Sequence, residues 1–128
     1  MRLAVVLLAS AVLLGGCARR LGAPGAATAA VASTEDWTLT VVNHHWLDVS
    51  VTVLHDGGRR RLGTVSATGR ETYTLPFRMI SAGRTVRFEA NPVGANSNVT
   101  SEAITVRGGG HVEWTLESGL ERSTVALW

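Results

Sequence analysis

Residues 37–58 read WTLTVVNHHWLDVSVTVLHDGG. Two runs within this stretch alternate with period two. Trp37, Leu39 and Val41 share one face, with Thr38, Thr40 and Val42 on the other. Val49, Val51 and Val53 alternate with Ser50 and Thr52 in the same way. Side chains of a strand point to opposite faces in turn, so each run reads as a strand buried on one side. Asp56-Gly57-Gly58 follows as a strong tight-turn signal between strands.

The pattern recurs downstream, with turn signals every eight to twelve residues. Leu62 and Val65 flank Gly63, a candidate bulge. Tyr73 and Leu75 alternate with Thr72 and Thr74, and Val86, Phe88 and Ala90 alternate with Arg87 and Glu89. Ile104 and Val106 flank Thr105, Val112, Trp114 and Leu116 alternate with Glu113 and Thr115, and Val125 and Leu127 close the chain. We expect seven or eight short strands and nothing helical after residue 34 beyond a brief turn at Met79-Ile80. Many half-buried strands joined by Gly, Asn and Pro turns indicate a small antiparallel β-sandwich, immunoglobulin-like or transthyretin-like. A small β-barrel is the alternative, because alternation does not distinguish closure from two packed sheets.

Before residue 37 the composition is different. Arg2 precedes a run, Leu3 to Leu14, that is apolar apart from Ser10. That layout is a secretory signal peptide. A spanning helix needs about 20 apolar residues, and Leu3 to Gly16 supplies fourteen before Cys17, Arg19 and Arg20. Residues 18–34, ARRLGAPGAATAAVAST, offer little to bury and read as a flexible tether reaching about 20–25 Å as a coil. The expected organisation is a signal segment over 1–16, Cys17 and the tether over 17–34, and the sandwich over 35–128.

Leu14-Gly15-Gly16-Cys17 resembles the lipobox of bacterial lipoproteins: an aliphatic residue, two small residues, then the only cysteine of the chain. The resemblance covers residues 1–17. It implies that Cys17 becomes the N-terminus and carries acyl chains, which makes membrane lipid a partner. One chain anchors marginally and two or three hold firmly, at about 0.8 kcal/mol per buried methylene. Ala18 after the cysteine fits, by the same resemblance, the periplasmic face of an outer membrane. A lipidated Cys17 leaves no thiol for a disulfide, a nucleophile or a metal.

The chain carries twelve basic residues, ten acidic ones and a pI near 9.5. The excess of positive charge is N-terminal: Arg2, Arg19 and Arg20 precede the domain. From Glu35 onward nine arginines face ten acidic residues, a balance of −1. A neutral domain has no strong electrostatic reason to bind nucleic acid, and none is expected as a partner.

His44, His45, His55 and His111 are the candidate metal ligands. Adjacent residues of an extended chain point apart, so His44 and His45 are poorly placed on one ion. If residues 37–43 and 48–55 form a hairpin, His55 lies far from the 44–47 turn. No spaced metal motif is present, and we expect no metal and no cofactor. Asn43, His44, His45 and Asp48 read as turn residues, with Trp46 over a sandwich end.

The Gly58-Arg59-Arg60-Arg61 run suits either an anionic surface, lipid headgroup or polysaccharide, or a solvated edge strand whose charge blocks edge pairing. The edge strand is the preferred reading. No serine stands in G-x-S-x-G, and Gly108-Gly109-Gly110 has no helix after it to bind phosphate, so a hairpin turn suffices. Glu113 and Glu117 read as solvated on one strand face. Trp37 and Trp114 fall in the apolar registers and are expected in the core. Trp46 and Trp128 do not, and with Arg59 and Arg60 they are the candidate interface residues.

Val41, Asn43, Trp46, Asp48, Val49 and Val51, followed by Arg61-Leu62-Gly63-Thr64-Val65, Leu75-Pro76 and Ala90-Asn91-Pro92-Val93-Gly94, resemble small bacterial envelope domains built as β-sandwiches. The resemblance spans most of residues 37–106 and implies a fold without an activity. We expect a non-enzymatic lipoprotein that binds or supports an envelope protein or polysaccharide. The alternative is a small-ligand or carbohydrate-binding module using Trp46 and residues 92–99.

Overall fold

The computed structural model describes residues 35–56, 58–79 and 85–128. The lipobox, Cys17 and the tether lie outside them, as do Gly57 and Ile80. Among the described residues nine strands form: β1 Trp37–Asn43, β2 Val49–His55, β3 Gly58–Val65, β4 Arg70–Leu75, β5 Thr85–Pro92, β6 Val99–Thr100, β7 Ile104–Thr105, β8 His111–Leu116 and β9 Thr124–Leu127. Two 3-10 turns, Phe77–Met79 and Leu120–Arg122, complete the described elements.

The strands make two sheets, and neither closes into a barrel. One has the order β4-β1-β8-β9. The other has the order β3-β2-β5, with β6 and β7 both paired to the far side of β5. β6 and β7 run the same way and are two halves of one edge strand. Between them, Ser101 keeps a ladder bond from its N–H to the Phe88 carbonyl, 2.8 Å, and its hydroxyl accepts the Phe88 N–H at 2.9 Å. Val86 then pairs with Ile104, so Glu102 and Ala103 make the break. This break accounts for nine strands against the seven or eight expected.

Two further expectations are corrected. β1 and β2 do not form a hairpin: they lie in different sheets, and residues 43–48 cross between them. The sandwich is also not wholly antiparallel. β1 pairs with β8 in parallel, Thr38 opposite His111 and Val41 opposite Trp114, because both strands run from the same end of the molecule.

The apolar registers meet between the sheets as the alternation requires. Trp37, Leu39, Val41, Leu75, Val112, Trp114 and Leu116 face Val49, Val51, Val53, Val65, Val86, Phe88 and Ala90, all buried. Phe88 packs between Trp37 and Trp114, with ring centroids 6.1 Å and 5.7 Å away. Each valine, leucine or phenylalanine among them contributes roughly 1.5–3 kcal/mol on burial.

The bulge falls where Gly63 suggested it. Val51 opposes Gly63 and Thr52 opposes Arg61, which leaves Leu62 as the extra residue. β3 is an edge strand, as expected from its arginines.

The connections divide into two ends. At one, Glu35 and Asp36 lead into β1, β2 turns into β3, β4 crosses to β5, and β7 crosses to β8. At the other, residues 43–48 cross from β1 to β2, residues 66–69 from β3 to β4, and residues 117–123 join β8 to β9. These are called the Glu35 end and the Trp46 end.

Candidate functional site

The Trp46 end is organised by one buried side chain. Position 43 continues the inward register of residues 37, 39 and 41, so Asn43 points into the sandwich and is fully buried. A buried amide must be hydrogen-bonded. Its Nδ2 donates to the carbonyls of Leu47 at 2.9 Å and Ser66 at 3.0 Å, and its Oδ1 accepts the His45 N–H at 2.9 Å. Asn43 thus ties the β1–β2 crossing to the β3–β4 crossing.

His44 and His45 point apart, as the extended geometry required. His44 is exposed and its Nδ1 lies 3.3 Å from Glu117 Oε2. His45 is buried, and its Nδ1 accepts the Leu47 N–H at 3.1 Å. This fixes the tautomer with the proton on Nε2. The flat ring then supports Trp46, stacked on it at 4.1 Å and 24°. Asp48 completes the brace: its Oδ1 accepts the Ala67 N–H at 2.9 Å, and its carbonyl accepts the Val93 N–H at 2.8 Å.

The product is an indole held on a rigid support with 69 % of its surface exposed. Val93, also exposed, stands at the same end. At the same end, Glu117, Ser118, Gly119, Glu121 and Arg122 line an open cleft of about 510 Å³. Chemically this end offers an aromatic face, an apolar neighbour and a mildly acidic rim. That suits stacking and packing.

The sequence candidates do not gather into one site. Trp46 is at one end, while Trp128, Arg59 and Arg60 are at the other. Trp128 exchanges two backbone hydrogen bonds with His111, 2.9 and 3.0 Å, and is 67 % exposed. Arg59 and Arg60 point to opposite faces of β3, since Arg59 opposes the half-buried Leu54 and Arg60 opposes the buried Val53. Arg59 pairs with Glu89 at 2.6 Å. Trp37 and Trp114 are core residues, as their registers indicated. Glu113 is not simply solvated: it is half-buried, 3.6 Å from Arg70.

Gly108-Gly109-Gly110 forms a turn. Gly110 N–H donates to the Arg107 carbonyl at 3.0 Å, and Gly109 has φ +73°, a conformation that favours glycine. Among the described residues no group of three or more His, Cys, Asp and Glu side chains is placed to hold a metal. No described helix is long and apolar enough to cross a membrane.

Asn43 and His45 are the residues that reading the sequence placed too loosely, as turn residues. The signal for Asn43 was present, in the uninterrupted inward register 37-39-41-43.

No protein-family model matches the chain, and no curated protein matches it. Among solved structures it is similar to the NMR structure of a protein from Eubacterium rectale, at 15 % identity and a TM-score of 0.46, over 73 % of this chain and 87 % of that one. Such a score does not equate two folds, and the sandwich assignment rests on the strand pairing above.

Proposed function

We propose that the chain is a non-enzymatic envelope lipoprotein, anchored through acylated Cys17, whose sandwich presents Trp46 to an envelope protein or polysaccharide. The observation that carries the presenting role is the Trp46–His45 stack. An exposed tryptophan on a loop usually costs entropy to order on binding. Here the hydrogen bonds of Asn43 and His45 have already ordered the support. A rigid aromatic of this kind is the usual anchor of an interface.

The anchoring role is supported by the sequence of residues 1–17. The described domain begins at Glu35, at the end opposite Trp46. A lipid tether leading into Glu35 leaves the Trp46 end free to face outward. The carbohydrate-module alternative uses the same indole, stacked on a sugar ring with residues 92–99 beside it. The Asp48–Val93 hydrogen bond that brings those residues to Trp46 favours it as the second reading.

Labelled palmitate fed to producing cells is expected to enter the wild-type chain, and Cys17→Ser is expected to lose both label and membrane association. A photo-crosslinker at position 46 should capture one defined envelope component, and Trp46→Ala should lose it without a change in thermal stability. An unlabelled wild type with a still membrane-bound Cys17→Ser chain would remove the lipoprotein reading. Crosslinks to lipid alone would remove the presenting role.

A further inference from the structure

We propose that β9 is an interaction edge, and that its occupant is the same strand of a second copy of this chain, paired antiparallel across a two-fold axis at Ala126.

The two open sheets have four edges: β3, β4, β9 and the β6–β7 pair. An unguarded edge is a template for another strand. Three of the four are guarded. β3 carries Arg59, Arg60 and Arg61 and the bulge at Leu62. β4 begins with Arg70 and Glu71 and runs into Pro76, which has no N–H to give. The β6–β7 edge is broken at Glu102 and Ala103. β9 has none of these devices. Ser123 to Trp128 contains no charge and no proline, and the register with β8 is unbroken from Thr124 to Leu127.

The phase of the ladder shows which groups are open. His111 and Trp128 exchange both backbone hydrogen bonds, at 2.9 and 3.0 Å. Bonded pairs alternate along an antiparallel ladder, so Thr124 and Ala126 also aim their N–H and C=O groups at β8. Those of Val125 and Leu127 point the other way, with no partner among the described residues.

Two copies of this edge fit each other. With Ala126 opposite Ala126 of a second copy, Val125 falls opposite Leu127, and Leu127 opposite Val125. Each such pair exchanges two hydrogen bonds, so every open group is satisfied. The side chains agree with the bonds. Val125 and Leu127 lie on the core side, in register with Trp114 and Val112. Leu127 is nevertheless 51 % exposed and Val125 half-buried, at an edge that no strand flanks. Pairing continues the row of Trp114 and Val125 into Leu127 and Val112 of the other copy, which covers both. On the outer face the axis brings two alanines together. A charged residue there would face itself, and like charges directly opposite are unfavourable. A foreign strand must match this phase through its own sequence, whereas a second copy matches it by symmetry. A pair of four-residue strands is small beside a standard interface of about 1,600 Å², so the dimer is weak and concentration-dependent.

The test uses the full chain with Cys17→Ser, so that an introduced cysteine is its only thiol. The pairing needs no lipid, and its failure would leave the anchor reading untouched. Opposed, unbonded residues of an antiparallel pair have Cα atoms about 4.5 Å apart, within the range of a disulfide. Ala126→Cys is expected to form a disulfide dimer under mild oxidation. Thr124→Cys, displaced from the axis, and Thr72→Cys, on the β4 edge, are expected to stay monomeric. In sedimentation, Ala126→Lys and Ala126→Asp should each lose the dimer with melting temperatures unchanged, since Ala126 is exposed. Mixing the two should restore it, because opposite charges then meet at the axis. Hydrogen exchange at the Val125 and Leu127 N–H groups should slow as concentration rises. Absence of the Ala126→Cys dimer, equal disulfide yields at all three positions, or no recovery on mixing overturns the proposal. So does slow exchange of Val125 and Leu127 at every concentration, which would mean that the edge is covered within one chain. A crosslink from position 126 in producing cells to a different protein, and never to a second copy, overturns it as well.

Discussion

Tyr73 has its hydroxyl buried against β3 without a hydrogen-bond partner among the described residues. Its pKa is raised above 10.0, first by desolvation and then by the negative charge of Glu71. The fold therefore holds the phenol proton more tightly than the unfolded chain does. Stability is full below about pH 10 and falls as pH rises through the folded-state value, because the unfolded chain then gives up the proton first. Tyr73→Phe removes both penalties. It should be as stable as wild type or more so by about 1 kcal/mol at neutral pH, since an unpaired hydroxyl disappears. Its melting temperature should also stay higher than that of wild type above pH 10. Thermal melts at pH 7 and pH 10.5 check this, and parallel losses in the two proteins would show that Tyr73 is not responsible. The chain has a single tyrosine, so its titration can be read directly in the ultraviolet. At this scale Asn43 was half legible. Alternation placed it inward, but its partners at Val65 and Ser66 come from the end of β3 and the crossing after it, 22 and 23 residues further on. No local pattern carries that information.

Among the elements, β3 shows most clearly what alternation can and cannot convey. Gly63 between Leu62 and Val65 signalled a bulge. The reason for the glycine lies on β4: a Cβ there would stand 3.0 Å from the Tyr73 hydroxyl and 3.1 Å from its ring. Gly63→Ala is accordingly expected to cost about 1–3 kcal/mol, the usual range for overpacking. The cost should shrink when Tyr73→Leu is present, a coupling that a double-mutant cycle by denaturant unfolding measures. Simple additivity would mean that the two side chains do not meet. The broken edge strand β6–β7 was legible only in its second half. Val99-Thr100 is too short to show a period, and it is a strand because β5 offers it an edge. Gly58-Arg61 was read correctly as an edge strand, since charge along an exposed ladder is what an edge tolerates.

For the molecule as a whole, the core is one aromatic line from Trp37 through Phe88 to Trp114, and it joins the two sheets. Phe88 is the only member from the second sheet. Phe88→Ala should cost about 3–5 kcal/mol, because the two tryptophans cannot both close the gap. Denaturant titration checks this through a lower midpoint with an unchanged slope. An unchanged midpoint would mean that the sheets pack through their valines alone. The all-β sandwich was readable because each strand has one apolar face. The distribution of Trp46, Trp128, Arg59 and Arg60 between two ends was not, because it depends on which strands cross between sheets. The assumed hairpin of β1 and β2 is the case in point.

The parallel pairing of β1 with β8 also has a consequence in time. β1 is an inner strand of its sheet, yet one neighbour is 73 residues away along the chain, as the contact from Thr38 to His111 measures. A chain made or threaded from its N-terminus has the first of the nine described strands early and that strand's neighbour only as the eighth. Until the segment from His111 onward arrives, the sheet that carries Trp37, Leu39 and Val41 is half made, with an open ladder beside β1. Folding that waits on such remote partners is slow, and the waiting chain is prone to aggregate. The same delay suits passage through a narrow pore, which admits only chains that have not yet folded. In the export proposed above, this order of strands would postpone collapse of the described domain until its eighth strand has passed.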